Sequence, residues 1–223
     1  MNVLIIGNPE SEERFIKKFG ETHQIERCES LEDEFDFNPD IVFWFNMEEN
    51  KEYLTDLDEL ECPIFVNIPF YTLKELVSVY GPVRNLIIGF CGISSLFERE
   101  ILEVSLLSKE QNAEAISILE ELGSQFEIVE DRIGMVTPRT LFMIINEAYF
   151  SLMEGVASKE DIDKSMKLGT NYPYGPFEWA DMIGINHIYE TLEAIHYHTG
   201  DPRYRVCEWL KNEYLNNFIE QHE

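Results

Sequence analysis

Residues 155–184 read GVASKEDIDKSMKLGTNYPYGPFEWADMIG, and this stretch predicts two short helices joined by a rigid turn. Ser158 stands where the first helix begins, since its hydroxyl can accept a backbone N–H and the acids that follow favour the positive end of a helix. Gly169 is expected to end that helix, because glycine readily takes the left-handed conformation found at helix ends. A turn rich in proline and tyrosine follows at 172–176, and Gly184 is expected to close the second helix.

Outward from this stretch the hydrophobic pattern divides the chain in two. Helical periodicity fills the rest of the second half, whereas short apolar strands alternate with amphipathic helices before about residue 131. That alternation indicates βαβ units. The sequence therefore predicts an α/β protein, with a mainly parallel sheet in residues 1–131 and an all-α domain in residues 132–223. The strands are predicted at 1–7, 23–28, 40–46, 63–68, 86–90, 101–107 and 126–129, with helices at 10–19, 72–80, 109–122, 138–154, 185–198 and 204–218.

The charge balance limits the kinds of partner. The chain has 17 Lys+Arg against 43 Asp+Glu, a formal net charge of −26. Nucleic acid and acidic lipid surfaces are therefore not expected as partners, because binding them requires cationic patches. No apolar run approaches the length of a membrane helix. The first residues, MNVLIIGNP, lack a basic segment, so they predict a first strand and not a signal peptide.

The cysteines and histidines show no metal-binding pattern. Four scattered cysteines without a CxxC pair are typical of reduced thiols, and we expect a cytoplasmic protein. His196 and His198 offer two neighbouring ligands, but no acid or thiol spacing completes a site around them. We therefore expect no metal.

Several short blocks carry a family resemblance. ASKEDID, MKLG, YPYGPFE and the Asp181…Gly184 ending follow one another in the order and spacing of the short-chain 3-hydroxyacyl-CoA dehydrogenases, which include 3-hydroxybutyryl-CoA dehydrogenase. The resemblance covers the last 90 residues closely and the rest in outline. It implies an NAD-binding Rossmann half, an acyl-CoA-like substrate, a place in fatty-acid metabolism, and a helical half that forms a homodimer.

The expected dinucleotide loop is poor in glycine. Glycines after the first strand allow a tight turn and a close approach to pyrophosphate, but here only Gly7 remains in Gly7–Glu12. Pro9 lacks an N–H, and Glu12 places a carboxylate near the phosphates. Two like charges about 4 Å apart cost about 4 kcal/mol, which weakens binding about a thousandfold. Glu29, 22 residues after Gly7, matches the ribose-binding acid. We therefore expect no cofactor, or NAD if the protein is active.

The resemblance also locates the catalytic pair. Aligned from Gly89, Cys91 takes the position of the family's histidine acid/base, and Glu103 takes that of the glutamate that orients it. A thiol is a poor substitute, because its ordinary pKa is about 8.5 and a nearby carboxylate raises it. Two alternatives stay open: Cys91 as a nucleophile, although no histidine is near in sequence, and Glu103 as an ordinary acid at a strand end.

The substrate-binding positions are changed in part. Pro69 replaces the family's substrate-binding serine, and Pro138 replaces the asparagine that helps to hold the substrate carbonyl. Asn67 and Ser94 remain as candidates for contacting the substrate. The sequence thus predicts a dehydrogenase-like protein with degraded motifs, a pseudoenzyme with a binding or regulatory role. Two alternatives are an active NAD-dependent oxidoreductase and a dimeric interaction scaffold.

Overall fold

The chain folds into two compact units, Met1–Met135 and Val136–Glu223. The computed structural model describes residues 1–31, 33, 38–49 and 51–220. The first unit carries every described strand, and every described secondary-structure element of the second unit is a helix. The change from one pattern to the other was placed between residues 131 and 132 from the sequence.

The first unit is built on one seven-stranded sheet with the order β2-β1-β3-β4-β5-β6-β7. All neighbouring strands are parallel except β5 and β6, which are antiparallel. This confirms the predicted Rossmann-like, mainly parallel sheet. The strands are β1 (Asn2–Ile6), β2 (Gln24–Cys28), β3 (Ile41–Trp44), β4 (Ile64–Asn67), β5 (Ile87–Phe90), β6 (Ile101–Leu106) and β7 (Gln125–Val129).

The strand order creates a crevice at the end of β1. The chain passes from β2 on one side of β1 to β3 on the other, so the strand order reverses at this point. Ligands of open α/β sheets bind outside the carboxyl ends of the strands at such a switch point. The turn after β1 is therefore where a dinucleotide would be expected.

A cluster of phenylalanines fills one side of this sheet. Phe43 on β3 and Phe65 on β4 stack with their ring centroids 4.3 Å apart, and both are fully buried. Phe15 packs its ring edge against Phe43. Strands buried on both faces explain the continuous apolar runs in the sequence. The helices of this unit are α1 (Pro9–Phe19), α2 (Leu73–Tyr80), α3 (Ser94–Phe97) and α4 (Asn112–Glu121).

The second unit packs its helices around α5. This helix contacts α7, α8 and α9, and its buried residues include Phe142 and Tyr149. The five helices are α5 (Thr137–Met153), α6 (Lys159–Thr170), α7 (Pro176–Ile183), α8 (Ile185–Thr199) and α9 (Glu208–Glu220).

Three helix ends differ from the sequence-based prediction. α6 does not end at Gly169: Asn171 takes the left-handed conformation with φ 59° and its N–H bonds to the Met166 carbonyl. Asparagine tolerates this conformation, so the glycine is not needed there. α9 begins at Glu208, after a 3₁₀ turn at Pro202–Tyr204, and another 3₁₀ turn at Lys109–Gln111 precedes α4.

The family-like stretch is held together by its own motif residues. The buried Asp163 carboxylate accepts the backbone N–H groups of Phe177 (2.9 Å) and Glu178 (3.2 Å), which caps α7. Glu178 reaches back to the Gly175 N–H at 2.9 Å and also pairs with Lys167. These residues belong to ASKEDID, MKLG and YPYGPFE, so the recognisable blocks build the α6–α7 corner.

Candidate functional site

The turn after β1 satisfies its own hydrogen-bonding groups. Asn8 caps α1, because its Oδ1 accepts the Ser11 N–H at 3.1 Å and the Ser11 hydroxyl at 3.0 Å. A Cβ on Gly7 would lie 2.7 Å from Ser11 Oγ and 3.2 Å from Phe45 Cβ. Gly7 is therefore required by contacts within the protein. The Oδ1 of Asn8 already stands at the first turn of α1, where a phosphate oxygen would bind.

Arg27 lies beside this turn and forms ion pairs with Glu12, the acid predicted to repel a cofactor, and with Glu29. Its Nη1 donates to the Gly7 carbonyl at 3.0 Å, and its Nε lies 3.7 Å from Glu12. Glu29, the predicted ribose ligand, lies 3.4 Å from the same guanidinium and is exposed. Glu12 is therefore not an isolated charge, as the estimated repulsion of about 4 kcal/mol between it and a phosphate had assumed. Both carboxylates are engaged with Arg27.

Cys91 and Glu103 are neighbours across the ends of β5 and β6. Phe90 pairs with Val104 across the antiparallel strands β5 and β6. Cys91 follows Phe90 and Glu103 precedes Val104, so the two residues lie opposite each other at the next position of the register. Cys91 is buried and Glu103 is half-buried. The pKa of the Cys91 thiol is raised from 9.0 to about 12, chiefly by burial; a hydrogen bond with the Ile93 backbone opposes the rise and the nearby Glu103 charge adds to it. A protonated, buried thiol cannot act as a general base near pH 7.

This burial gives a test by alkylation. At pH 8 a thiol with a pKa of about 12 has about a thousandfold less thiolate than one with a pKa of about 9. We expect iodoacetamide to label Cys91 at least that much more slowly in the folded chain than in urea, as measured by mass spectrometry. The folded pKa lies above the unfolded value, so the thiol contributes stability below pH 9 that is lost as the pH rises towards 12. Equal labelling in both states would contradict this environment.

Asn67, the predicted substrate ligand, bridges two loops at the carboxyl edge of the sheet. Its Nδ2 donates to the Phe45 carbonyl at 2.9 Å, and its Oδ1 accepts the Gly92 N–H at 2.7 Å. A Cβ on Gly92 would lie 2.8 Å from Asn67 Cγ, so the close fit requires glycine. Both ends of the Asn67 amide are therefore used inside the protein.

The other predicted substrate positions also have structural roles. Ser94 begins α3 and its hydroxyl lies 3.2 Å from Glu98 Oε1, one turn further along. Pro69 is buried and its carbonyl accepts the Gly134 N–H at 3.1 Å. Pro138 occupies the first turn of α5, where a missing N–H has no cost and the fixed φ favours the helix.

Three residues at this edge were not found from the sequence. Arg14 on α1 donates to the Gly92 carbonyl at 3.2 Å and pairs with Glu10 at 3.0 Å. Asn46 donates to the Glu29 carbonyl at 2.9 Å, and Arg27 contacts Gly7. The contacts with Gly92, Glu29 and Gly7 each join segments far apart in sequence. One feature of the sequence could have indicated these contacts: cations are few and acids many, so an arginine near this loop would form ion pairs with several acids.

The residues of the crevice do not fit a dinucleotide. A phosphate needs free N–H groups, close backbone approach and a neutral or positive surrounding. Here Asn8 accepts the Ser11 N–H, Pro9 has no N–H, and the space beside the Gly7 Cα is occupied by Ser11 and Phe45. No reaction step through NAD is therefore derived from this site.

Within the described ranges, no group of three or more histidines, cysteines or acids is placed to hold a metal ion. No described helix has the length and apolar composition needed to cross a membrane.

The helical unit has an apolar groove. It encloses about 670 Å³ between α5 and α6, with Met143, Ile144, Ile162 and Met166 among its lining residues. Arg139 lies at the same groove and donates to the Tyr204 hydroxyl at 2.9 Å. A groove of this size and composition can accept an apolar ligand or the side chains of a partner.

The architecture defines the class of fold: a Rossmann-like sheet followed along the chain by a helical unit. Residues 134–222 match the family described as "3-hydroxyacyl-CoA dehydrogenase, C-terminal domain". The probable 3-hydroxybutyryl-CoA dehydrogenase of Bacillus subtilis is 33% identical over 172 residues, 74% of this chain and 60% of that protein. The 3-hydroxyadipyl-CoA dehydrogenase of Escherichia coli is 45% identical over 101 residues, 45% of this chain and 21% of that protein.

A solved structure extends the likeness over both units. The (S)-3-hydroxybutyryl-CoA dehydrogenase of Ralstonia eutropha has a TM-score of 0.77 over 95% of this chain and 92% of that chain. At 22% identity this is a likeness of fold. The predicted resemblance is confirmed: residues 134–222 match the 3-hydroxyacyl-CoA dehydrogenase C-terminal domain family, and the chain is similar to these dehydrogenases. In the two sequence matches it spans 60% or less of the relative's own length.

Proposed function

We propose that this chain is a catalytically impaired relative of the 3-hydroxyacyl-CoA dehydrogenases with a binding or regulatory role. The observation that carries the proposal is Cys91, a buried thiol with a pKa of about 12 at the family's acid/base position. The half-buried Glu103 lies beside this thiol, where the family resemblance implies an imidazole. Hydride transfer to or from a 3-hydroxyacyl group needs a proton donor or acceptor at the oxygen, and a protonated thiol in a closed environment supplies none near pH 7.

The experiment is NADH-dependent reduction of acetoacetyl-CoA by the full chain and by Cys91→His. We expect no rate above the background for either protein. The variant supplies the imidazole, but the crevice still lacks the groups for phosphate. A robust rate for the parent chain would overturn the proposal and favour an active NAD-dependent 3-hydroxyacyl-CoA oxidoreductase. A rate for Cys91→His alone would support the loss of the base and contradict our account of the cofactor loop.

A thermal-shift comparison separates the remaining alternatives. Stabilisation by a CoA ester supports a binding role for an acyl-CoA-like molecule, because a ligand that binds the folded state raises its melting temperature. If neither CoA esters nor NAD and NADH change that temperature, an interaction scaffold is favoured.

The four cysteines are buried and unpaired, which supports placing the protein in a reducing compartment, the cytoplasm.

We propose further that the helical unit forms a homodimer through the groove between α5 and α6. The lining of this groove is largely apolar and also holds Arg139, Arg203 and Glu147, so a second copy offers apolar side chains and a carboxylate of the same surface as complements.

Replacing Ile144 with glutamate tests this surface. A charge in an apolar interface must lose its hydration, so Ile144→Glu should weaken association at least about tenfold. Light scattering at several concentrations measures it. The control is Val79→Glu, which changes an exposed valine of the first unit and should leave the dimer intact. A parent chain that is monomeric throughout, or a dimer indifferent to Ile144→Glu, would refute the proposed surface.

A further inference from the structure

The loops on either side of β1 are joined directly by Asn46. Asn46 follows β3 and the Glu29 carbonyl follows β2, and these two strands flank β1. The hydrogen bond of 2.9 Å from Asn46 Nδ2 to the Glu29 carbonyl therefore passes in front of the end of β1. The Oδ1 of Asn46 is buried with no partner among the described residues, so the side chain is held through its nitrogen.

Arg27 makes a second connection at the same place. Its side chain is 25% exposed and contacts the Gly7 carbonyl, Glu12 and Glu29. It thereby joins β2, the turn after β1 and the first turn of α1. A guanidinium with three oxygen partners in a partly buried site is strongly oriented.

A third connection lies on the other side of the crevice. Arg14 links α1 to the Gly92 carbonyl, and Asn67 links Gly92 to the Phe45 carbonyl. The loops after β1, β3 and β5 are in this way connected by side chains of the protein.

The charges agree with the geometry. Glu10, Glu12 and Glu29 form ion pairs with Arg14 and Arg27, three carboxylates against two guanidinium groups. The cations are compensated by these acids, so a pyrophosphate entering the crevice would meet a net negative charge.

We infer that Arg27 and Asn46 act as an internal replacement for a dinucleotide: they order the crevice loops and occupy its mouth, so that the unit is closed to NAD(H) without any ligand. This inference rests on the proposed function, because it supplies a cause for the loss of the cofactor that is separate from the loss of the base at Cys91.

The experiment is hydrogen–deuterium exchange of the full chain with and without millimolar NADH. In the parent chain we expect residues 7–12 to be protected already and NADH to change nothing. In Arg27→Met/Asn46→Ala the same amides should exchange about tenfold faster, because the loops lose the Arg27 contacts with the Gly7 carbonyl and Glu12 and the Asn46 bond to the Glu29 carbonyl. Asn46→Ala alone should give a smaller acceleration, and it serves if the double variant does not fold. Arg84→Met, an arginine 83% exposed elsewhere in the unit, should have no effect on these residues.

Protection of residues 7–12 by NADH in the parent chain would overturn the inference, as would unchanged exchange in the double variant. NADH protection without turnover would leave the proposed impaired function standing. Turnover of acetoacetyl-CoA would overturn both.

Discussion

Replacing Asp163 with alanine is expected to lower the free energy of unfolding of the helical unit by about 3 kcal/mol. The carboxylate is buried and accepts two backbone N–H groups at the start of α7. Alanine leaves both donors without their acceptor and removes the negative charge at the positive end of the helix. A Cβ on Gly175 would lie 2.2 Å from Asp163 Cγ, so the backbone is fitted closely around this side chain and little relaxation can compensate.

Urea unfolding followed by the far-ultraviolet signal measures this loss. Glu160→Ala removes an exposed acid from the same helix and should change stability by less than about 0.5 kcal/mol. Asp163→Asn keeps an acceptor without the charge and should fall between the two. A loss below about 1 kcal/mol for Asp163→Ala would show that the corner is not held by this carboxylate.

Replacing Asn67 with alanine is expected to destabilise the Rossmann-like unit by about 2–3 kcal/mol. The Phe45 carbonyl and the Gly92 N–H both lose their partner, and Gly92 is buried. If Asn67 were instead a substrate ligand in an open cleft, the same change would alter ligand binding and leave stability nearly unchanged. The two roles therefore predict opposite results in a protein without any ligand.

Hydrogen exchange of the β4 and β5 amides reports on this unit specifically. Asn38→Ala changes an exposed asparagine of the same unit and should be neutral. Unchanged protection in Asn67→Ala would contradict a structural role and restore Asn67 as a candidate ligand.

The sequence predicted the architecture because the signals for it are local. Apolar runs, the hydroxyl of Ser158 and the glycine at 184 each determine structure within a few residues, and the strands and helices follow from them. Where the prediction differs, two nearby residues could each have taken the same structural position. Asn171 could take the left-handed position as well as Gly169 could, and periodicity alone does not choose between them.

The candidate site was predictable where strand register determines it. Cys91 and Glu103 lie together because both follow from the pairing of two neighbouring strands. The contacts of Arg27, Asn46 and Arg14 were not predictable, since each depends on how separate loops meet at the sheet edge. The ion pair between Glu12 and Arg27 was not predictable for the same reason. The sequence alone therefore placed the Glu12 charge beside a phosphate with no cation to offset it.

The central claim is that this chain has the fold of a 3-hydroxyacyl-CoA dehydrogenase without its hydride-transfer chemistry. The most direct test is the turnover number of the full chain in NADH oxidation with acetoacetyl-CoA, with an active dehydrogenase as the positive control. We predict a rate indistinguishable from the reaction without protein. A turnover number near the ordinary enzyme range of about 10 s⁻¹ would contradict the account.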